Sequence, residues 1–177
     1  DTFLALCREH GLMTLPCFFV GHMSGMNFPI PWERGDFYTD PEVLARSRRF
    51  VQAIVSRYRD EDAILGWLLS NEITHHAGKR EAHVLLGWMR ALYDAIRQVD
   101  PHRPIAPGDG ADFLRGGPGY PEGTLRSIED MKEGQDFVSL HYYFDPAYDP
   151  GGMVRLCDIG QPVLVEEFGV STALWAE

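Results

Sequence analysis

The chain has 177 residues, enough for one domain with a sizeable core, and its 45% hydrophobic and 24% charged content is ordinary for a globular protein. No apolar run approaches the ~20 residues of a membrane helix, so nothing in it spans a bilayer as a helix. A net charge of −10 argues against nucleic acid, whose phosphates demand a basic surface, and suits a polyanionic ligand no better; a neutral sugar meets no such objection.

In chain order the sequence alternates between strand and helix signals, with no internal repeat and no low-complexity linker. Residues 1–7 (DTFLALC) read as helix. Residues 12–21 (LMTLPCFFVG) are an apolar run rich in strand formers. Asp40-Pro41-Glu42 opens a helix with an N-cap acid, a proline in the first turn and an acid at the positive dipole end. Val43, Leu44, Phe50, Val51, Ile54, Val55 and Tyr58 continue it at helical spacing. A strand is predicted over 64–70 (ILGWLLS), running into Asn71-Glu72, and a helix over 81–99, stopped at Asp100-Pro101. A short strand over 104–107, a helix over 124–132, a strand over 137–142, a short helix over 153–158 and a strand over 162–167 complete the pattern. Five strands with near-continuous apolar cores, separated by helices, imply a parallel sheet buried on both faces.

Loop lengths choose the architecture. The helix-to-strand returns (59–63, 100–103, 133–136, 159–161) are short, whereas the strand-to-helix connections (22–39, 73–80, 108–123, 143–152) are long. That asymmetry is the mark of an α/β barrel enzyme, the (β/α)8 TIM barrel, whose site lies at the strand C-termini. A doubly wound open sheet would also bind there, but no GxGxxG or Walker pattern supports it, and Gly116-Gly117-Pro118-Gly119 has the wrong spacing.

Glu72 and Glu167 each end a predicted strand, which puts both carboxylates at one mouth of the barrel. Trp67-Leu-Leu-Ser-Asn71-Glu72 resembles the fourth-strand signature of clan A glycoside hydrolases. Val163-Leu-Val-Glu-Glu167-Phe168-Gly169 is similar to their seventh-strand signature, and His141-Tyr142-Tyr143 resembles the sixth-strand His-x-Tyr. Within the clan the nearest resemblance is to glycoside hydrolase family 5, mannanase- and cellulase-like. It implies a retaining β-glycoside hydrolase with Glu72 as acid/base and Glu167 as nucleophile. Asn71 would hold the sugar 2-hydroxyl, Tyr143 would hydrogen-bond the nucleophile, His141 would line the cleft, and His22 would touch the sugar. A retaining enzyme needs its two carboxyl groups roughly 5–5.5 Å apart.

Glu166 is the rival of Glu167. Strand alternation turns the two opposite ways, leaving Glu166 on the helix side if Glu167 faces the barrel; apolar neighbours on both sides leave the choice open, and the family pattern favours Glu167. Among loop aromatics suited to stacking on sugar faces (Phe28, Trp32, Phe113, Tyr120, Phe144, Tyr148), Trp32 is the foremost candidate. The resemblance implies β-mannan or a manno-oligosaccharide as substrate, with β-glucan or β-glucoside close behind, and a catalytically dead carbohydrate-binding barrel as the alternative of another class. It implies no cofactor and no metal. It also implies strands three to seven of an eight-stranded barrel in one partial domain over 1–177, with strands one, two and eight outside the chain, and leaves localisation unread.

Other signals are set aside. Gly21-His-Met-Ser24-Gly25 is GxxSG, not the GxSxG of a serine-hydrolase elbow. His75, His76 and His83 lack HExxH spacing and read as loop histidines, solvated or beside the cleft. Cys7, Cys17 and Cys157 lack CxxC spacing and read as buried or idle thiols.

Overall fold

The computed structural model describes residues 1–23, 26–30, 34–77, 80–108, 128–144, 155 and 157–170. Helix α1 (Thr2–Glu9) buries Leu4 and Cys7. Strand β1 (Cys17–Met23) then turns back on β2 (Met26–Phe28) as an antiparallel hairpin. Helix α2 (Pro41–Tyr58) starts where the sequence puts it: the Asp40 carboxylate accepts from the backbone N–H of Glu42 and Val43 at 2.8 and 3.2 Å. Its buried face is Val43, Ser47, Val51 and Val55, a strict four-residue stripe. Strand β3 (Trp67–Asn71), the short helix α3 (Ile73–Ala77) and helix α4 (Ala82–Arg97) follow. Strand β4 (Ile105–Ala106), a 3-10 turn (Ile128–Met131), β5 (Val138–Phe144) and β6 (Val163–Val170) complete the described elements.

The pairings β1–β3, β3–β4 and β5–β6 are all parallel, as the apolar strand cores imply. One expectation is corrected. Instead of one continuous parallel sheet, the described strands form a four-stranded sheet ordered β2-β1-β3-β4 and a two-stranded sheet β5-β6. The gap is bridged by one residue: Asp136 donates its N–H to the carbonyl of Ile105 (2.8 Å), and its carboxylate accepts the Ile105 N–H (2.7 Å). A side chain here takes the place of a ladder hydrogen bond.

Two elements fall in segments expected as loops. The three residues of β2 and the five of α3 are too short to show a period of two or 3.6. The strand over 12–21 begins only at Cys17, because Pro16 has no N–H for the ladder; upstream, Thr14 makes one isolated parallel bridge to Ile64. In place of the helix over 124–132 there is the 3-10 turn, with residues 124–127 outside the described part. Of the helix over 153–158, only residue 155 is described as helical.

The core lies between the four-stranded sheet and helices α2 and α4. Phe19, Phe37, Tyr38 and Trp88 form an aromatic cluster with ring centroids 5.0–5.9 Å apart. Full burial of side chains such as Trp88, Leu92 and Ile96 contributes about 1.5–3 kcal/mol apiece before entropy is subtracted. At the N-terminal end of β3, the Trp67 indole N–H and the Arg103 guanidinium both donate to the Asp100 carboxylate, at 3.1 and 2.7 Å. Arg103 also donates to the carbonyls of Arg59, Glu61 and Ile64, closing the base of the sheet opposite the candidate site.

Candidate active site

Glu72 directly follows β3, His141 and Tyr143 lie on β5, Glu166 and Glu167 lie on β6, and His22 lies near the end of β1. Glu167, expected at a strand end, is inside β6, which runs on to Val170, and the parallel strands bring these residues to one place. One carboxylate oxygen of Glu72, one of Glu167 and a ring nitrogen of His141 all lie within 4.8 Å of one another. Nδ1 of the buried His141 ring is 3.4 Å from Glu72 Oε1 and 3.4 Å from Glu167 Oε2. The contact with Glu72 is a long hydrogen bond, and the one with Glu167 acts through charge.

Backbone irregularities aim these side chains. Between Leu140 and His141 the β5–β6 register slips, so that Leu140 faces Val165 while His141 faces Glu167, leaving Glu166 as the extra residue of a bulge. The β1–β3 ladder slips likewise between Phe19 and Gly21. Gly21 has φ +64°, and a Cβ there would stand 2.8 Å from Ser70 Oγ, so only glycine lets β1 close against β3 just before His22. Glu72 itself adopts φ +48°, an uncommon left-handed conformation for a residue with a side chain.

The bulge corrects the alternation argument. Glu166 does not turn away to the helix side. It lines the same cleft as Glu167, together with Cys17, Leu68, Asn71 and His141, and its Oε2 lies 3.5 Å from His141 Nε2. Three carboxylates therefore surround one imidazole. Burial alone would lower the His141 pKa, but the hydrogen bond to Glu166, the charge of Glu167 and the hydrogen bond to Glu72 outweigh it and raise it above its ordinary value. A strand bulge has no residue-type signature in this segment, which is why the sequence did not show that Glu166 shares the cleft with Glu167.

Tyr143 donates its hydroxyl to Glu167 Oε2 at 2.8 Å, and this hydrogen bond, followed by burial and by the charges of Glu167 and Glu72, raises the tyrosine pKa. The glycine of the Glu-Phe-Gly segment has a packing reason here. Tyr143 is opposite Gly169 in the ladder, and a Cβ on Gly169 would come within 3.1 Å of the tyrosine ring. Phe168, 80% exposed, does not contribute to the core.

Of the other expected residues, Asn71 donates its side-chain N–H to the main-chain carbonyl of His22 at 2.6 Å. His22 Nε2 is 3.9 Å from Glu72 Oε2, while its Nδ1 contacts Asn27 Oδ1 at 2.6 Å. His75 and His76 are on helix α3 rather than in a loop. The His75 ring stacks on His22 with centroids 4.8 Å apart, and His76 Nδ1 lies 2.6 Å from the Tyr38 hydroxyl. His83 is an exposed residue of α4, beside Glu81. Cys7 and Cys157 are buried and Cys17 is not. Trp32, Phe113, Tyr120 and Tyr148 lie outside the described residues. Among the described residues no helix is long and apolar enough to cross a membrane.

The fold is part of a (β/α)8 barrel. The structure superimposes on an exo-β-1,4-mannosidase from Opitutaceae bacterium strain TAV5 with a TM-score of 0.76 at 24% identity, covering 97% of this chain and 35% of that one. It superimposes on an endo-β-1,4-mannanase from Thermotoga petrophila with a TM-score of 0.71 at 20% identity, covering 96% and 45%. By sequence, the chain is related to mannan endo-1,4-β-mannosidases. It is 30% identical over 151 residues to probable mannan endo-1,4-β-mannosidase F of Aspergillus flavus, covering 76% of this chain and 32% of that protein. Probable mannan endo-1,4-β-mannosidase A of the same fungus is 29% identical over 192 residues, covering 97% and 49%. The chain thus spans about a third to a half of the length of these relatives. No protein-family model matches it.

Proposed function

We propose that the full-length protein is a retaining β-glycoside hydrolase acting on β-1,4-linked mannan or manno-oligosaccharide. In this reading β1, β3, β4, β5 and β6 correspond to strands three to seven of the barrel. The observation that carries it is the approach of Glu72 and Glu167 to within 4.8 Å. That spacing suits direct attack by one carboxylate; inversion through a water needs a gap of about 6.5–9.5 Å.

Glu72 gives its proton to the glycosidic oxygen as Glu167 attacks the anomeric carbon. The bond to the leaving sugar breaks and a glycosyl ester of inverted configuration forms on Glu167. Glu72, now a carboxylate, takes a proton from water as the water oxygen attacks the same carbon. The ester bond breaks, and the second inversion returns the β-configuration. Tyr143 holds the attacking oxygen in place, while His141 places positive charge below both carboxylates. Asn71 and His22 lie where they can meet the 2-hydroxyl and its neighbours, and Trp32 is the proposed stacking platform for a further sugar.

The mannan preference is supported by the mannan-directed activities of the relatives by sequence and of the two structural neighbours. Reducing-sugar release by the full-length protein from β-1,4-mannan and from β-1,4-glucan tests it. The reading expects the mannan to be cut faster; preference for glucan would overturn the substrate, and no cleavage of either would overturn the activity.

A further inference from the structure

We propose that Glu166 is a positioning residue: its carboxylate, held by the β6 bulge behind the His141 ring, keeps that imidazole charged and turned toward Glu72 and Glu167. This rests on the proposed hydrolase reading and adds a residue that acts through another.

The geometry points to it. Glu166 Oε2 lies 3.5 Å from His141 Nε2, on the opposite edge of the ring from the Nδ1 that faces Glu72 and Glu167. The Glu166 side chain is only 9% exposed, against 38% for Glu167, so it is poorly placed to meet a substrate. Its Oε1 is buried and has no hydrogen-bond partner among the described residues, and no Arg or Lys there pairs with it. A carboxylate so placed is costly unless something cationic holds it, and among the described residues the one candidate in contact is the His141 imidazole.

The groups facing this ring are Glu72 from the end of β3, Glu166 and Glu167 from β6, and Tyr143 further along β5, with His22 of β1 next to Glu72. Cys17 of β1 also lines the cleft. Although the residue as a whole is exposed, desolvation of its thiol, with a contribution from the Glu166 charge, pushes it up to about 12, so it adds no negative charge to the site. The described site therefore sets one imidazole among three carboxyl groups, and Glu166 is the one with no part in the proposed bond making.

The test is the pH dependence of kcat/KM in the full-length protein and in Glu166→Gln and Glu166→Asp. Glutamine keeps the shape and removes one negative charge, so every proton in the cluster is held less tightly. Both limbs of the profile then move to lower pH, by about one unit for a charge at this range. Aspartate keeps the charge and returns the limbs toward the parent positions. Limbs that stay in place in an active Glu166→Gln protein overturn the proposal, since a merely structural glutamate would alter stability alone. If neither variant folds, the His141 ring of the unmutated protein is titrated by NMR. Titration above the ordinary ~6.5 with a proton on Nε2 upholds the proposal, and a ring neutral down to that pH overturns it. Should the full-length protein cleave no β-glycoside, the hydrolase reading fails, while a fall of the His141 titration in Glu166→Gln would still uphold the coupling and an unchanged one would sink it.

Discussion

The Tyr143 hydroxyl donates to Glu167 Oε2 at 2.8 Å, and the tyrosine ring reaches that position by lying against Gly169, the residue opposite it in the neighbouring strand. Hydrogen bond and glycine are thus one device for holding a carboxylate at the mouth of the barrel. A hydrogen bond to a charged group contributes about 1.5–3 kcal/mol when shielded, and less at an open site such as this one. Tyr143→Phe is expected to lower kcat about 10-fold with little change in KM, read by steady-state kinetics of the full-length enzyme. Gly169→Ala should lower kcat as well, because the added methyl displaces the ring.

The proposed mechanism gives the two glutamates different jobs, so their alanine variants should differ. Glu167→Ala removes the proposed nucleophile and is expected to abolish turnover. Added azide should restore part of it by occupying the vacated space, giving a glycosyl azide of inverted configuration. Glu72→Ala should retain activity on aryl glycosides with good leaving groups and lose it on mannan. Equal and mild losses in both variants, measured on both substrates, would contradict the assignment.

Glu72 carries a backbone cost. At φ +48° a side chain is disfavoured by about 1–2 kcal/mol, which glycine does not suffer. Both Glu72→Gly and Glu72→Ala remove the carboxylate, so comparing them isolates the backbone. Glycine should be the more stable by about 1 kcal/mol in chemical denaturation, reversing the usual order of the two residues. An alanine variant at least as stable as the glycine one would show that the conformation carries no strain.

Stability should decline on both sides of neutrality, for separate reasons. Asp100 is buried, which alone would raise its pKa, but hydrogen bonds from Trp67 and from the Arg103 backbone and guanidinium lower it. Its contribution is therefore present above the unfolded value of about 3.9 and lost as pH falls through the lower folded value. His141 is raised, so its contribution is present below about 6.5 and lost as pH rises through the higher folded value. Thermal melts against pH should show Asp100→Asn flattening the acid slope and His141→Asn the alkaline one. Arg103→Ala, which also frees three backbone carbonyls, should cost about 3 kcal/mol at neutral pH.

Much of this was legible in the residues. Asp40-Pro41 and the apolar residues from Val43 to Tyr58 locate helix α2, and Asn71-Glu72 stands at the end of β3 as expected. What was not legible lies in the backbone. The slip at Glu166 turns two adjacent glutamates onto one imidazole, which strict alternation forbids, and no residue type announces it. The β1–β2 hairpin and helix α3 escaped for another reason: three and five residues carry no periodicity to read. Asp136, standing in for a strand partner of β4, depends on a tertiary contact that a local pattern does not encode.

The central claim, direct attack by Glu167 across a gap within 4.8 Å of Glu72, is tested most directly by the configuration of the first-formed product. Proton NMR of the anomeric signals, recorded as the full-length protein cleaves a β-1,4-manno-oligosaccharide, should show the β-anomer appearing first and the α-anomer growing in only by mutarotation. An α-anomer formed first would mean a single displacement by water, and would contradict the account.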